Sequence, residues 1–270
     1  MEIEPRFVDI AISFSAGRAR DVESPRTVGA LLTDNWRFAR PVAGRADVFS
    51  PGTSDFDQPQ RVRVSGALHS PWRTLSTELL FFYIGGSGFP YTYVAGGASG
   101  RGDLNADGAV GNDPIYIPRS ARDTVEIRFA GSPSEIATQQ ATFDRFIDGS
   151  ACLRSQRGRI MARNSCRSPW MNVANLALRQ TLPGIGAHAF VAEVQVFNLL
   201  NLLNRRWGRR ELPTGSILAT TSQIPLLAQV GATTGPDAQP IFRFDSTMER
   251  YSSDNVDSYY QIQLALRYHF

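Results

Sequence analysis

Hydrophobic and polar residues alternate in five separate stretches of this chain. In Asp257–Phe270 the alternate positions Tyr260, Ile262, Leu264, Leu266, Tyr268 and Phe270 are apolar throughout, while Tyr259, Gln261, Gln263, Ala265, Arg267 and His269 are mostly polar. Successive side chains of a strand point to opposite faces, so this spacing predicts a strand with one apolar and one polar face. The same period of two predicts strands over Phe7–Ala16, Arg61–Ser70, Trp170–Leu182 and Ala189–Leu200, and Leu75–Ile84 reads as a further strand with less clean faces. One helix is expected, over Pro133–Asp148. Ser132 or Ser134 can cap it, and Ile136, Gln140, Phe143 and Ile147 fall on one stripe.

The connections between these strands are of two kinds. Ser70–Arg73 and Pro183–His188 are tight, whereas Gly17–Pro59, Gly85–Ser168 and Asn201–Val256 are long and, the helix apart, read as irregular. Structureless loops beyond about 15 residues are uncommon in compact domains. Short turns on one side and long loops on the other are the asymmetry of outer-membrane barrels, whose strands carry an apolar band between aromatic girdles. An apolar row of about ten residues has the length of such a span. The pattern therefore predicts an all-β fold, an antiparallel transmembrane β-barrel. Six strands cannot close one, about eight being the practical minimum. Residues 1–270 are thus expected to form the carboxy-terminal part of a larger barrel.

That reading assigns the remaining strand residues. Trp72, Trp170, Tyr91, Tyr93, Tyr259 and Tyr268 fall at predicted strand ends, where amphipathic rings favour a membrane interface. Arg61, Arg63, Arg179, Glu193 and Arg267 fall on polar faces and would line the lumen.

Composition narrows the picture. No window holds about 18 consecutive apolar residues, so no transmembrane helix is expected. The opening MEIEPRFVDI has no basic region followed by an apolar core, so no signal peptide is expected in this chain. All 28 basic residues are arginine, but 25 acidic residues nearly cancel them and no basic run exceeds two residues, which argues against nucleic-acid binding.

Three groups carry candidate chemistry. Cys152 and Cys166 lie in one segment without metal-ligand or redox spacing; a local disulfide fits them, two unrelated thiols being the alternative. Asp103-Leu-Asn105-Ala-Asp107-Gly108 has the opening of a calcium loop, with oxygens at alternate positions and a glycine for the turn. Pro114 stands where the bidentate carboxylate belongs, and Asp113 comes one residue early, so a plain Asn/Asp/Gly turn is the competing reading. His69, His188 and His269 lie far apart, and Gly85-Gly86-Ser87-Gly88 is neither a nucleophile elbow nor a phosphate loop. No catalytic constellation emerges, and an enzyme is not expected.

Several short pieces occur in a telling order. They are Asp55-Phe56-Asp57-Gln58-Pro59-Gln60-Arg61-Val62, Ser87-Gly88-Phe89-Pro90-Tyr91-Thr92, the Gly102–Gly108 turn, Asn112-Asp113 and Ile115-Tyr116-Ile117-Pro118. Arg157-Gly158-Arg159, Arg163-Asn164, Arg167-Ser168-Pro169-Trp170, Val196-Phe197-Asn198-Leu199-Leu200-Asn201, Trp207-Gly208 and Tyr260–Phe270 follow. Together they resemble the carboxy-terminal barrel of TonB-dependent receptors, specifically the Oar-like branch, over nearly the whole chain. The resemblance implies a barrel of about 22 strands, an outer-membrane location, uptake of a solute it does not name, and drive from the TonB energy complex. It also implies that the Tyr260–Phe270 row is the signal read by the barrel-assembly machinery. The plug, energy-coupling box and carboxypeptidase-regulatory-like domain of that family are not in this sequence. The competing expectation is a secreted or surface all-β adhesin or carbohydrate-binding module with a calcium loop.

Overall fold

The computed structural model describes residues 7–22, 24, 50–72, 75–184, 188–215, 222–253 and 258–269. The chain begins with β1 (Val8–Ala16), β2 (Arg20–Asp21), β3 (Gly52–Thr53), β4 (Gln60–His69), β5 (Thr77–Gly86) and β6 (Pro90–Gly96). Then come β7 (Tyr116–Ile117), β8 (Arg128–Phe129), helices α1 (Pro133–Asp148) and α2 (Ala151–Arg154), β9 (Arg159–Ile160) and β10 (Cys166–Arg167). The remainder holds β11 (Met171–Pro183), β12 (Ala189–Phe197), α3 (Leu199–Leu203), β13 (Glu211–Pro213), β14 (Gln223–Ala232), β15 (Pro240–Arg243), β16 (Tyr251–Ser253) and β17 (Gln261–His269).

The six expected strands form one antiparallel sheet in the order β1-β4-β5-β11-β12-β17. Its register aligns like with like: Val8, Leu68, Leu79, Leu178, Val194 and Leu264 stand in one row across all six strands. Ile10, Gly66, Phe81, Leu176, Val196 and Ile262 form the next row on the same face. A one-residue slip would turn every side chain over, so this agreement pins the register. No closed barrel forms among the described residues. β1 and β17 are open edges.

The apolar face is covered by nothing in the described residues. Ile12 is 73% exposed and Leu264 is 74% exposed. A polar pair on it is self-satisfied, Thr77 Oγ1 donating to Gln180 Oε1 at 2.6 Å. Aromatic and polar rings stand at its two ends. Tyr83 and Trp170 both donate to Asn172 Oδ1 toward the loop side, and Tyr268 stacks on His188 at the turn side. From Ala174 to Leu182 the strand rises about 27 Å, which at a tilt of about 40° gives a height of about 21 Å against about 25 Å for a barrel's apolar band.

The long connections are not irregular, contrary to expectation. Strands taken from them build a second sheet, β10-β6-β14-β15-β8, in which β6 and β14 run parallel. All the large fully buried aromatics lie here: Tyr91, Tyr93 and Phe143 are at most 1% exposed. Helix α1 forms where its capping box predicts. Ser132 accepts from the Glu135 backbone N–H, and the Glu135 carboxylate accepts from the Ser132 N–H at 2.7 Å. It buries Phe143, Phe146 and Ile147, with Phe143 and Phe146 packing on Phe244. Gln139 staples it on both sides, donating to Ala130 O and accepting from the Phe244 N–H.

Two expectations are corrected. Tyr91 and Tyr93 lie in this core and not at a membrane interface, because β6 is enclosed on both faces. The strand expected over Ala189–Leu200 stops at Phe197, since Asn198 turns left-handed (φ 52°) and starts α3.

Candidate functional site

The polar face of the six-stranded sheet carries a ladder of charges that crosses every strand. Asp9 on β1 lies 3.6 Å from His69 on β4, and His69 lies 3.6 Å from Glu78 on β5. Arg179 on β11 reaches Glu78 and Glu193, each at 3.2 Å, and Arg267 on β17 closes on Glu193 at 3.4 Å. The signs alternate along the row, with His69 counting as positive only when protonated. Glu193 is 2% exposed despite its charge, which its two arginine partners and the Gln195 amide accommodate. A buried charge is tolerated only when paired in this way.

Of the residues expected to line the lumen, Arg179, Glu193 and Arg267 therefore meet. Arg61 and Arg63 share their face but stand higher, with Arg61 donating to Gln58. Asp9 and Glu78 were not singled out in the sequence, and His69 was noted there only as a histidine without a partner. Their place on the polar side of each alternation was visible; the cross-strand register that joins them was not.

A second polar cluster ties the long connections together. The Asp55 carboxylate accepts from the Asn164 amide at 2.6 Å and from the Ser222 hydroxyl at 2.8 Å. Asn164 also exchanges hydrogen bonds with Thr92 Oγ1. Arg163 donates to the carboxylate of Asp21, to Ser24 and to two backbone carbonyls, while Arg167 holds the Asp57 carboxylate at 2.5 Å. Burial would raise the Asp21 carboxyl, but hydrogen bonds with Ser54 and Ser24 and the Arg163 guanidinium hold it below the usual range. Asp55, Asp57, Asn164 and Arg167 thus fasten three connections into one body over the sheet. Beside them lies a cleft of about 830 Å³ lined by Arg18, Arg20, Pro51, Ile160, Arg163 and Arg167 among others.

Asp103, Asn105, Asp107 and Asp113 are brought into one turn. The two Asp103 oxygens accept from the N–H groups of Asp107 and Gly108, and Asp107 accepts from the Ala109 N–H and the Asn112 amide. Asp113 accepts from the Leu104 N–H at 2.8 Å, closing the loop. Burial, with the charges of Asp107 and Asp103 beside it, raises the Asp113 carboxyl to about 6. The carboxylates fit calcium only in part, since Pro114 replaces the bidentate carboxylate and the oxygens present are largely turned to N–H donors. Among the described residues no group of three or more His, Cys, Asp or Glu is placed to ligate one ion.

Cys152 and Cys166 are joined in a disulfide, with Cα atoms 5.3 Å apart. It links α2 to β10, and so to β6, which pairs with β10. Tyr260, Ile262, Leu264, Leu266 and Tyr268 are all exposed on one face of the edge strand β17, while Phe270 lies outside the described residues. Trp72, Trp170 and Tyr259 are exposed as well. Comparison with protein-family models, with curated proteins and with solved structures finds no match.

Proposed function

We propose that this chain is a wall segment, with its extracellular loop body, of an outer-membrane β-barrel that binds or takes up a solute, as in TonB-dependent receptors of the Oar-like type. One observation carries the reading: an apolar face in register across six antiparallel strands, with exposed residues on each strand, such as Ile12, Leu68, Phe81, Leu178, Val194 and Leu264, and aromatics at both ends. Apolar surface of this extent in water marks an interaction site or a membrane. A sandwich, as the adhesin alternative requires, needs a second layer against that face, and the described residues place their second sheet elsewhere. The ladder then faces the lumen, the loop body faces outward, and the open edges β1 and β17 await further strands. On this reading β17 engages the barrel-assembly machinery, and energy coupling acts through parts outside this chain.

Spin labels introduced at Leu264 and Leu178, and separately at Gln263 and Ala177, test the assignment in phosphatidylcholine vesicles. The first pair is expected to be reached by lipid-soluble oxygen and the second by a water-soluble relaxation agent. Equal access of the water-soluble agent to both pairs would sink it.

A further inference from the structure

A second charged feature lies where the loop body meets the apolar face. β12 ends in α3, and the run Asn204-Arg205-Arg206-Trp207-Gly208-Arg209-Arg210 follows. This run is held rigidly. Asn198 Nδ2 donates to Gly208 O at 2.8 Å, and Asn201 Nδ2 donates to Arg205 O and Trp207 O. Gly208 adopts φ +59°, and a Cβ there would fall 2.0 Å from Asn198 Oδ1, so the turn admits only glycine. The Arg210 N–H then donates to Ser258 Oγ at 3.0 Å, which fixes the run beside the start of β17. Tyr260, the first residue of the apolar row on that strand, adjoins the same point.

The side chains this knot displays are of two sorts. Leu203, Trp207, Tyr259 and Tyr260 are exposed, the last at 46%. Arg205, Arg206 and Arg209 are exposed too, and none makes an ion pair among the described residues. Exposed Trp and Tyr beside a lipid-facing surface sit at headgroup level. Guanidinium groups match phosphate oxygens in a two-pronged geometry. Unpaired arginines at that height have a partner of opposite charge in the headgroup layer.

We propose that Arg205, Arg206 and Arg209, seated with Trp207 and Tyr260 at the loop-side rim of the apolar face, bind phosphate-bearing lipid headgroups. This rests on the membrane reading above. A lipid, in preference to a free anion, is the occupant because the three arginines stand exposed on a turn, whereas Arg18, Arg20, Arg163 and Arg167 line the 830 Å³ cleft. The pinned backbone means that little ordering remains to be done on binding.

Flotation of the refolded chain with two kinds of vesicle tests this, one of phosphatidylcholine and one of phosphatidylcholine and phosphatidylglycerol in equal parts. The parent chain is expected to prefer the anionic vesicles, and the R205Q/R206Q/R209Q variant to lose that preference by a factor on the order of 100. A charge-matched R122Q/R145Q/R159Q variant, altered on the loop body, is expected to keep it. The proposal is overturned if the parent binds both vesicles equally, if the first variant keeps the preference, or if the second loses as much. It is also overturned if inorganic phosphate at matched ionic strength abolishes the preference, which would mark a free-anion site. Association with neither vesicle would instead remove the membrane reading itself.

Discussion

The two halves of this molecule use apolar residues in opposite ways. In the six-stranded sheet they stand outward, as in the row from Val8 to Leu264, while the charged residues pair on the other face. In the loop body they point inward, with Tyr93, Phe143 and Ile147 fully buried and the polar residues knotted around them. The difference teaches that the loop body is built for water and carries its own core. The sheet is ordered by backbone pairing, the ladder on its polar side and a few polar pairs at the ends of its apolar face. Its apolar face has to find its solvent elsewhere.

The sharpest way to break the comparison is to delete one apolar side chain from each half. Phe143→Ala empties a core site against Phe129 and Phe244 and is expected to destabilise the loop body by about 4 kcal/mol. Leu264→Ala, at a site 74% exposed, is expected to stay within about 0.5 kcal/mol of the parent. Denaturant unfolding followed by near-ultraviolet circular dichroism of the buried tyrosines reads both. Equal losses would mean that the sheet's apolar face is packed and not free.

A charge sharpens it further. Leu264→Arg is expected to weaken insertion into vesicles by about 3 kcal/mol, whereas Gln263→Arg on the opposite face is expected to be close to neutral. Refolding yields into vesicles across a denaturant series distinguish them, and matching losses would remove the assignment of faces.

The loop body's own weak point is Asp113. Its carboxyl is raised from 3.8 to about 6, so its contribution is fully present below the unfolded value and lost as the pH rises through the folded one. Asp113→Asn keeps an acceptor for the Leu104 N–H and is expected to stabilise the body by about 2 kcal/mol near pH 7. Near pH 4 it is expected to change nothing. Thermal midpoints at the two pH values check the sign. The smallest effect is at the helix cap, where Ser132→Ala is expected to reduce stability by about 1 kcal/mol, seen in the same melts and absent from vesicle insertion.

The legibility of these halves in the sequence follows from their construction. Five strands of the large sheet were readable because one face of each lies in one environment, which writes a period of two over eight or more residues, as in Gln261–His269; β5 is apolar on both sides from Leu79 to Ile84 and shows that period less cleanly. Helix α1 was readable from a serine cap at 132 or 134 and from its stripe, and the structure adds Glu135 as the other half of the capping box. β6 was not, because Pro90–Gly96 is buried on both sides and so shows no alternation. β8 and β10 are two residues long, too short to carry any period. At the candidate site, Arg179, Glu193 and Arg267 could be placed on a polar face from spacing alone. That Asp9, His69 and Glu78 continue the same ladder could not be read, since neither the spacing nor the residue types say which strand lies beside which.

The sequence by itself thus determined the local facts: which segments are strands, which side of each is apolar, where α1 starts, and that Cys152 and Cys166 lie close enough along the chain to join. Each depends on interactions within a few residues, and those are written in order. Only the tertiary structure decided that the apolar sides form one face, that the charges meet in one ladder, and that the long connections pack around Tyr93 and Phe143. Those depend on pairs such as Asp55 with Asn164, more than a hundred residues apart. Chain closure over such distances leaves no periodic mark, so the partners become known only when the register is.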